Sequence, residues 1–235
     1  MPKRVVLIPV YNEEKHVGGL LSRLREVYSG DVLFIDDGSK DCSPYILQNF
    51  QDRHTSVLLQ SENRGYGATL INGFREVERR GYEFMITMDS DGQHRPDWIP
   101  AFFDKILEWD IVSGSRYCEE IDGNGTAPAD RRSINTVITH LINESTGFSI
   151  TDSFCGFKAY RISALSKLDL TDSGYGMPLQ VWLQARHLGL RVVELPVSRI
   201  YDDPNRTFGG DLDDPAVRLR YYQSIIQEER KRWNL

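Results

Sequence analysis

The run Phe84-Met85-Ile86-Thr87-Met88-Asp89-Ser90-Asp91-Gly92-Gln93-His94 decides the fold. Five mainly apolar residues are followed at once by two carboxylates one residue apart. The segment therefore reads as a buried strand that delivers Asp89 and Asp91 to its carboxyl end. In open α/β sheets that edge is where ligands bind. Two carboxylates at this spacing, with the amide oxygen of Gln93 two residues on, suit a hard divalent cation. Such a cation could bridge the phosphates of a nucleotide. The same Asp-Ser-Asp-Gly string is also a favourable turn, because short polar side chains bond their own backbone and glycine bends freely. The rest of the chain has to decide between the two.

Upstream, Val5-Val6-Leu7-Ile8-Pro9-Val10 is a β-branched run interrupted by proline, which predicts a first strand. Tyr11-Asn12-Glu13-Glu14 is expected to open a helix with Asn12 as its cap, and Val17, Leu20, Leu21, Leu24 and Val27 give that helix one apolar face. Val32 to Ile35 is a second strand ending in Asp36-Asp37-Gly38-Ser39, and Ser43-Pro44 is expected to cap and begin the next helix. Ser56 to Leu59 is a third strand. The loop Glu62 to Ala68, with Gly65 and Gly67, then leads to a helix from about Thr69 to Arg79, whose free N–H groups would suit an anion.

Downstream, Pro96 to Trp109 is expected to be helical, and Ile111 to Ser115 is a short strand that puts Arg116 at its end. This alternation of strand and helix predicts an α/β fold: a mainly parallel, Rossmann-like sheet flanked by helices on both faces. Residues 117–130 are polar and lack periodicity, as a lid over a site would be. A helix starting at Arg131-Arg132-Ser133, a turn at 151–157 running into a strand, a helix from Met177 to Leu188, a strand from Arg191 to Pro196 and a last helix from Pro215 complete the chain. That last helix carries five basic residues, among them Arg218 and Arg220, and packing on the domain is its expected role.

The 235 residues are 40% hydrophobic and 26% charged, which suits one large soluble domain, expected to span 1–235. A net charge of −6 argues against nucleic acid as a partner, since phosphate-backbone affinity rests on clustered Lys and Arg. Three widely spaced cysteines form neither a disulfide framework nor a zinc cluster. No stretch approaches the roughly 20 apolar residues of a membrane span, so the expected location is cytoplasmic.

Four strings in order, Val6-Leu7-Ile8-Pro9-Val10-Tyr11-Asn12-Glu13-Glu14, Phe34-Ile35-Asp36-Asp37-Gly38-Ser39, Asn63-Arg64-Gly65-Tyr66-Gly67 and Met88-Asp89-Ser90-Asp91-Gly92-Gln93-His94, resemble the family 2 glycosyltransferases of the GT-A fold. Ser113 to Tyr117 and Asp152 to Phe157 resemble the later blocks of the branch that glycosylates polyprenyl and dolichyl phosphates. The resemblance implies a nucleotide-sugar half over 1–114 and an acceptor half over 115–235. It implies donor contacts from Pro9, Tyr11, Glu13, Ile35, Asp37, Ala68, Asp89, Ser90 and Arg206, and Mg2+ or Mn2+ held by Asp89, Asp91 and Gln93. The donor would be a GDP- or UDP-linked hexose and the acceptor a polyprenyl phosphate, met at the membrane directly or through a membrane subunit. Because that acceptor is already anionic, arginines suffice to position it, and Arg116, Arg131 and Arg206 are expected to do so, with Ser133 as a hydrogen-bond donor. Direct attack would invert the anomeric carbon. With Lys231 after Arg230, the Gln-x-x-Arg-Trp string of processive members is missing.

Two rival readings remain open. A soluble saccharide acceptor would need a general base, for which Asp152 is the candidate. A non-catalytic nucleotide-binding subunit of a membrane partner would have no need of the paired acids at 89 and 91.

Overall fold

The computed structural model describes residues 2–121, 125–201 and 207–235. Among the described residues, seven strands make one sheet: β1 (Arg4–Val10), β2 (Asp31–Asp36), β3 (Thr55–Leu59), β4 (Phe84–Thr87), β5 (Ile111–Ser115), β6 (Lys158–Arg161) and β7 (Val192–Pro196). Their order is β3-β2-β1-β4-β6-β5-β7, and every neighbouring pair is parallel except those made by β6. The helices are α1 (Val17–Val27), α2 (Ser43–Gln48), α3 (Tyr66–Arg79), α4 (Ile99–Lys105), α5 (Ala129–Thr146), the single turn α6 (Ile162–Leu165), α7 (Met177–His187) and α8 (Pro215–Trp233).

The period of two along β1 explains the layers. Val6, Ile8 and Val10 face α1, α2 and α4 through Leu20, Leu24, Leu47, Phe102 and Phe103. Val5 and Leu7 face α3 and α7 through Leu70, Phe74, Val77, Met177 and Val181. Each such buried aliphatic or aromatic side chain contributes about 1.5–3 kcal/mol, and cover on both faces is what a continuous apolar strand requires. A third cluster, with Ile138, Ile142, Trp182, Leu183, Tyr222 and Ile226, joins α5, α7 and α8 beyond the sheet. The last helix thus packs on the domain, as its sequence suggests.

Two features of this topology place the site. The chain leaves β1 toward β2 and β3, then crosses back to β4 on the other side of β1, which opens a crevice at the carboxyl ends of β1 and β4. Strand β6 runs against its neighbours, with Lys158 beside Thr87 and Ser113. Its amino end therefore lies at that same carboxyl edge, and the turn at 151–157 arrives next to the ends of β4 and β5.

Several helix starts differ from the sequence expectation. Asn12 does not cap α1, which starts at Val17. Asn12 takes a left-handed φ of 55° and its side-chain oxygen accepts from the Lys40 N–H at 2.8 Å, tying the β1 end to the β2 end. Ser43 lies inside α2 rather than capping it, and its hydroxyl accepts from the Glu13 N–H at 2.9 Å. Helix α3 begins at Tyr66, earlier than expected, and of the helix expected over Pro96 to Trp109 only Ile99–Lys105 is α-helical, after a 3-10 turn at Pro96–Trp98.

Candidate active site

Asp89 follows β4 and is held on three sides. Its Oδ1 accepts from the Tyr66 hydroxyl at 2.9 Å. Its N–H donates to Nδ1 of buried His94 at 3.0 Å. Behind it lies Gly156, where a Cβ would stand 2.2 Å from Oδ2. Burial and the Asp89 charge push the Tyr66 phenol far above its usual 10, so it remains a donor at every working pH. Asp91 closes a tight turn by accepting from the Gln93 N–H at 2.9 Å.

Asp89, Asp91 and Gln93 all line one cavity of about 200 Å³. Among the described residues, no three His, Cys, Asp or Glu side chains converge as a ready-made metal cage. Two carboxylates plus an amide oxygen on an open cavity still fit Mg2+ or Mn2+, which commonly keep waters and take further oxygens from substrate phosphates.

The opposite chemistry enters from β5 and the 151–157 turn. Asp152 is fully buried and grips Arg116 in a fork, Nε to Oδ2 at 2.7 Å and Nη2 to Oδ1 at 2.9 Å. It also accepts from Asn135 Nδ2 at 2.8 Å and from the N–H groups of Arg116 and Phe154. Burial alone would raise the Asp152 carboxyl, but the Arg116 charge and these donors overcome it and bring it down to about 2. Glu194 of β7 in turn accepts from Thr151 and the Asp152 N–H, at 2.8 and 3.0 Å. Arg116 lines the cavity and donates its remaining arm to the Tyr201 hydroxyl at 3.1 Å, whereas Asp152 does not reach the cavity.

Two more guanidiniums line that cavity, Arg131 of α5 and Arg218 of α8, at 4.8 and 4.3 Å from the ring centroid of Phe208. Arg218 is only 2% exposed and pairs with Asp130 at 2.5 Å. Its sequence signal was weak, because one inward arginine on a basic helix looks like its exposed neighbours. Arg206 lies outside the described residues, as does the centre of the expected lid, Asp122-Gly123-Asn124. The described flanks of that loop bring Tyr117 to the cavity and tie Gly125 to Arg199 by a pair of hydrogen bonds. Ser133 is exposed, and the phase of α5 turns Ile134 and Asn135 to the cavity instead.

The residues expected at the donor gather at the β1 and β2 ends, with different prospects. Tyr11 is exposed, and Pro9 accepts the hydroxyl of buried Ser90 at 2.8 Å. Glu13 is buried and bonds His16 at 2.7 Å. Asp37 uses both oxygens on the N–H groups of Arg64 and Gly65, at 2.8 and 3.0 Å, shaping the loop before α3. The Ile35 side chain is 1% exposed and belongs to the core under α3, so a donor contact there would fall to its backbone. The anion site expected at the start of α3 is corrected. Ala68 donates its N–H to Ser173 O at 3.0 Å, and a Cβ on Gly67 would stand 2.3 Å from Asp172 O. The 172–174 backbone occupies that helix start.

A mainly parallel sheet with paired acids beyond its central strand and arginines facing them across one cavity is the architecture of a sugar-transferring enzyme of the GT-A type. The chain belongs to glycosyl transferase family 2, whose model matches residues 5–169. It is 32% identical over 225 residues to an undecaprenyl-phosphate mannosyltransferase of Micrococcus luteus, covering 92% of this chain and 91% of that one. It is 27% identical to a dolichyl-phosphate hexose transferase of Haloferax volcanii, covering 97% and 95%. Among solved structures, a glucosyl-3-phosphoglycerate synthase of Mycobacterium tuberculosis in complex with Mn2+, UDP and glucosyl-3-phosphoglycerate is similar in fold. Its TM-score is 0.70 at 16% identity, over 97% of this chain and 80% of that one. The protein is a glycosyltransferase, and α7, β7 and α8 lie beyond the residues the family model matches.

Proposed function

We propose that this enzyme moves a hexose from a GDP- or UDP-linked sugar to a polyprenyl phosphate, with inversion, and that the two halves of the chain divide donor from acceptor. The observation that carries the reading is the lining of one cavity by Asp89, Asp91 and Gln93 together with Arg116, Arg131 and Arg218. Such a cavity suits two anionic phosphate groups brought together, one leaving and one attacking. The relatives named for undecaprenyl- and dolichyl-phosphate transfer support the acceptor class.

In this reading a phosphate oxygen of the acceptor attacks the anomeric carbon. The new C–O bond forms as the bond to the donor's diphosphate breaks, and the diphosphate leaves with the electron pair. The arginines position the nucleophile through forked hydrogen bonds and offset part of its charge. Asp89, Asp91 and Gln93 would hold Mg2+ or Mn2+, which when bound neutralises charge developing on the leaving group. Asp152 works through Arg116, holding its fork in one orientation. The geometry weakens the saccharide-acceptor alternative, because the carboxylate that would serve as base is buried, saturated with donors and held near 2.

Among the described residues no helix is long and apolar enough to cross a membrane. The proposal therefore includes peripheral contact with the cytoplasmic membrane face or a membrane subunit that presents the lipid. Transfer of radiolabel from a panel of nucleotide sugars to extracted polyprenyl phosphate, with Mn2+ and folded protein, tests the reading. Absence of transfer from every donor defeats it.

A further inference from the structure

We propose that Arg218 is a ligand of the acceptor's phosphate, and that Asp130 occupies its guanidinium until that phosphate displaces it. The inference rests on the reading above that the acceptor is a phosphate monoester. It concerns a residue of α8, in the part of the chain that the family model does not reach.

The geometry separates Arg218 from an ordinary structural ion pair. In an ion pair buried on both sides, neither partner can leave without stranding a dry charge. Here the Arg218 side chain is 3% exposed while that of Asp130 is 41% exposed. The cation is dry and lines the cavity; its partner sits at the solvent edge. One arm of the guanidinium is fixed by the Leu212 carbonyl at 2.7 Å, and its flat face lies against Phe208. Anchored in this way, the fork loses little freedom when it takes a new anion.

The cavity also needs such a group. Arg116 spends its Nε and Nη2 on Asp152 and an Nη1 proton on Tyr201, so much of its fork is committed. A phosphate monoester carries up to two negative charges and three acceptor oxygens. Arg131 and Arg218 meet over the same Phe208 ring and could share such a group. Displacement leaves Asp130 in the first turn of α5, where the helix dipole favours a negative charge.

Calorimetric titration with farnesyl phosphate, and with UDP or GDP in parallel, tests the inference on the full chain. Arg218→Gln should weaken farnesyl phosphate roughly tenfold or more, as loss of a charge-assisted fork does, with nucleotide affinity unchanged. Arg218→Lys keeps charge and stem, guards against a folding defect, and should lie between the two. Asp130→Asn should tighten farnesyl phosphate several-fold, since it removes the competing anion. Arg220→Gln, an exposed change two residues along α8, should alter nothing. Equal farnesyl phosphate binding by wild type and folded Arg218→Gln would overturn the inference alone, as would a loss confined to the nucleotide. Weaker binding in Asp130→Asn would overturn the exchange. If wild type neither binds farnesyl phosphate nor glycosylates any polyprenyl phosphate, the functional reading fails and takes this inference with it.

Discussion

Gly156 stands against the carboxylate of Asp89 so closely that a Cβ would lie 2.2 Å from Oδ2 and 2.7 Å from Cγ. The residue therefore fixes where the first acid of the pair can sit, from a turn whose other end, Asp152, fixes Arg116. One short segment sets both sides of the cavity. Gly156→Ala forces a shift at this contact, and displacement of the Asp89 carboxylate with its Tyr66 bond is the expected form. A displacement of about 1 Å at reacting groups can cost roughly a hundredfold in rate, while local overpacking costs about 1–3 kcal/mol of stability. Steady-state kinetics beside urea denaturation should show the rate falling far more than the stability.

Asp91 is half-buried on the cavity wall, where its Oδ1 closes the turn by accepting from the Gln93 N–H. Asp91→Ala should abolish sugar transfer yet shift stability by no more than about 1 kcal/mol, as expected away from the core. A melting curve and a transfer assay on one preparation decide it. A collapse in melting temperature would make Asp91 structural.

Tyr66 offers a milder perturbation of the same edge. Tyr66→Phe removes the donor to Asp89 Oδ1 and keeps the ring that stacks on Tyr175. Losing one hydrogen bond to a charged group costs about 1.5–3 kcal/mol where it is buried. Mn2+ affinity, read by the paramagnetic signal of the free ion, should change while the fold holds. An unchanged Mn2+ titration would remove Tyr66 from the metal's support.

Asp152 yields a pH prediction. Its carboxyl titrates near 2 in the folded chain against an ordinary 3.8, so the native state binds that proton more weakly than the unfolded chain does. Its contribution to stability is complete above about pH 4 and is lost as pH falls through about 2. Asp152→Asn should flatten the acid limb of the stability curve in that window and cost about 3–5 kcal/mol at neutral pH by leaving Arg116 uncompensated. Because the proposed transfer to a phosphate needs no base at Asp152, the acid limb of the rate profile should keep its midpoint in the residual activity. A shifted midpoint would restore the saccharide-acceptor reading.

What the sequence made legible follows the same physics. Strands β1, β2 and β4 are buried on both faces, so continuous apolar runs ending in proline or acid reveal them locally. Strand β6 reveals its presence but not its direction: Lys158-Ala159-Tyr160-Arg161 gives no local sign that it inserts antiparallel between β4 and β5. Asn12 and Ser43 have the composition of caps, but their side chains bond Lys40 and Glu13, nearly thirty residues away. Local rules miss such bonds. Arg116 follows β5 directly, and Asp89, Asp91 and Gln93 lie in the short turn just beyond β4, so sequence order alone carries all four to the cavity edge. Arg218 and Asn135 were not legible, because which face of a helix meets the cavity depends on how α5, α7 and α8 pack.

That packing rests on an unusual support. Glu229 of α8 is 3% exposed and accepts from Gln180 Nε2 at 2.8 Å, Gln184 Nε2 at 3.0 Å and Trp233 Nε1 at 2.6 Å. The same two glutamines accept from the backbone of Asp169, Thr171 and Asp172 through their oxygens, so the segment before α7 depends on them as well. Glu229→Ala would leave one N–H of each of the buried Gln180 and Gln184 amides, and the indole N–H of half-buried Trp233, without this acceptor. At about 1–3 kcal/mol for each buried N–H, a loss of roughly 3 kcal/mol is expected. Since α8 also carries Arg218 and Tyr222 to the cavity, acceptor KM should rise before donor KM does. Urea midpoints and the two Michaelis constants, measured below the unfolding transition, check both halves. Equal rises in the two constants would show that α8 supports the whole site rather than its acceptor side.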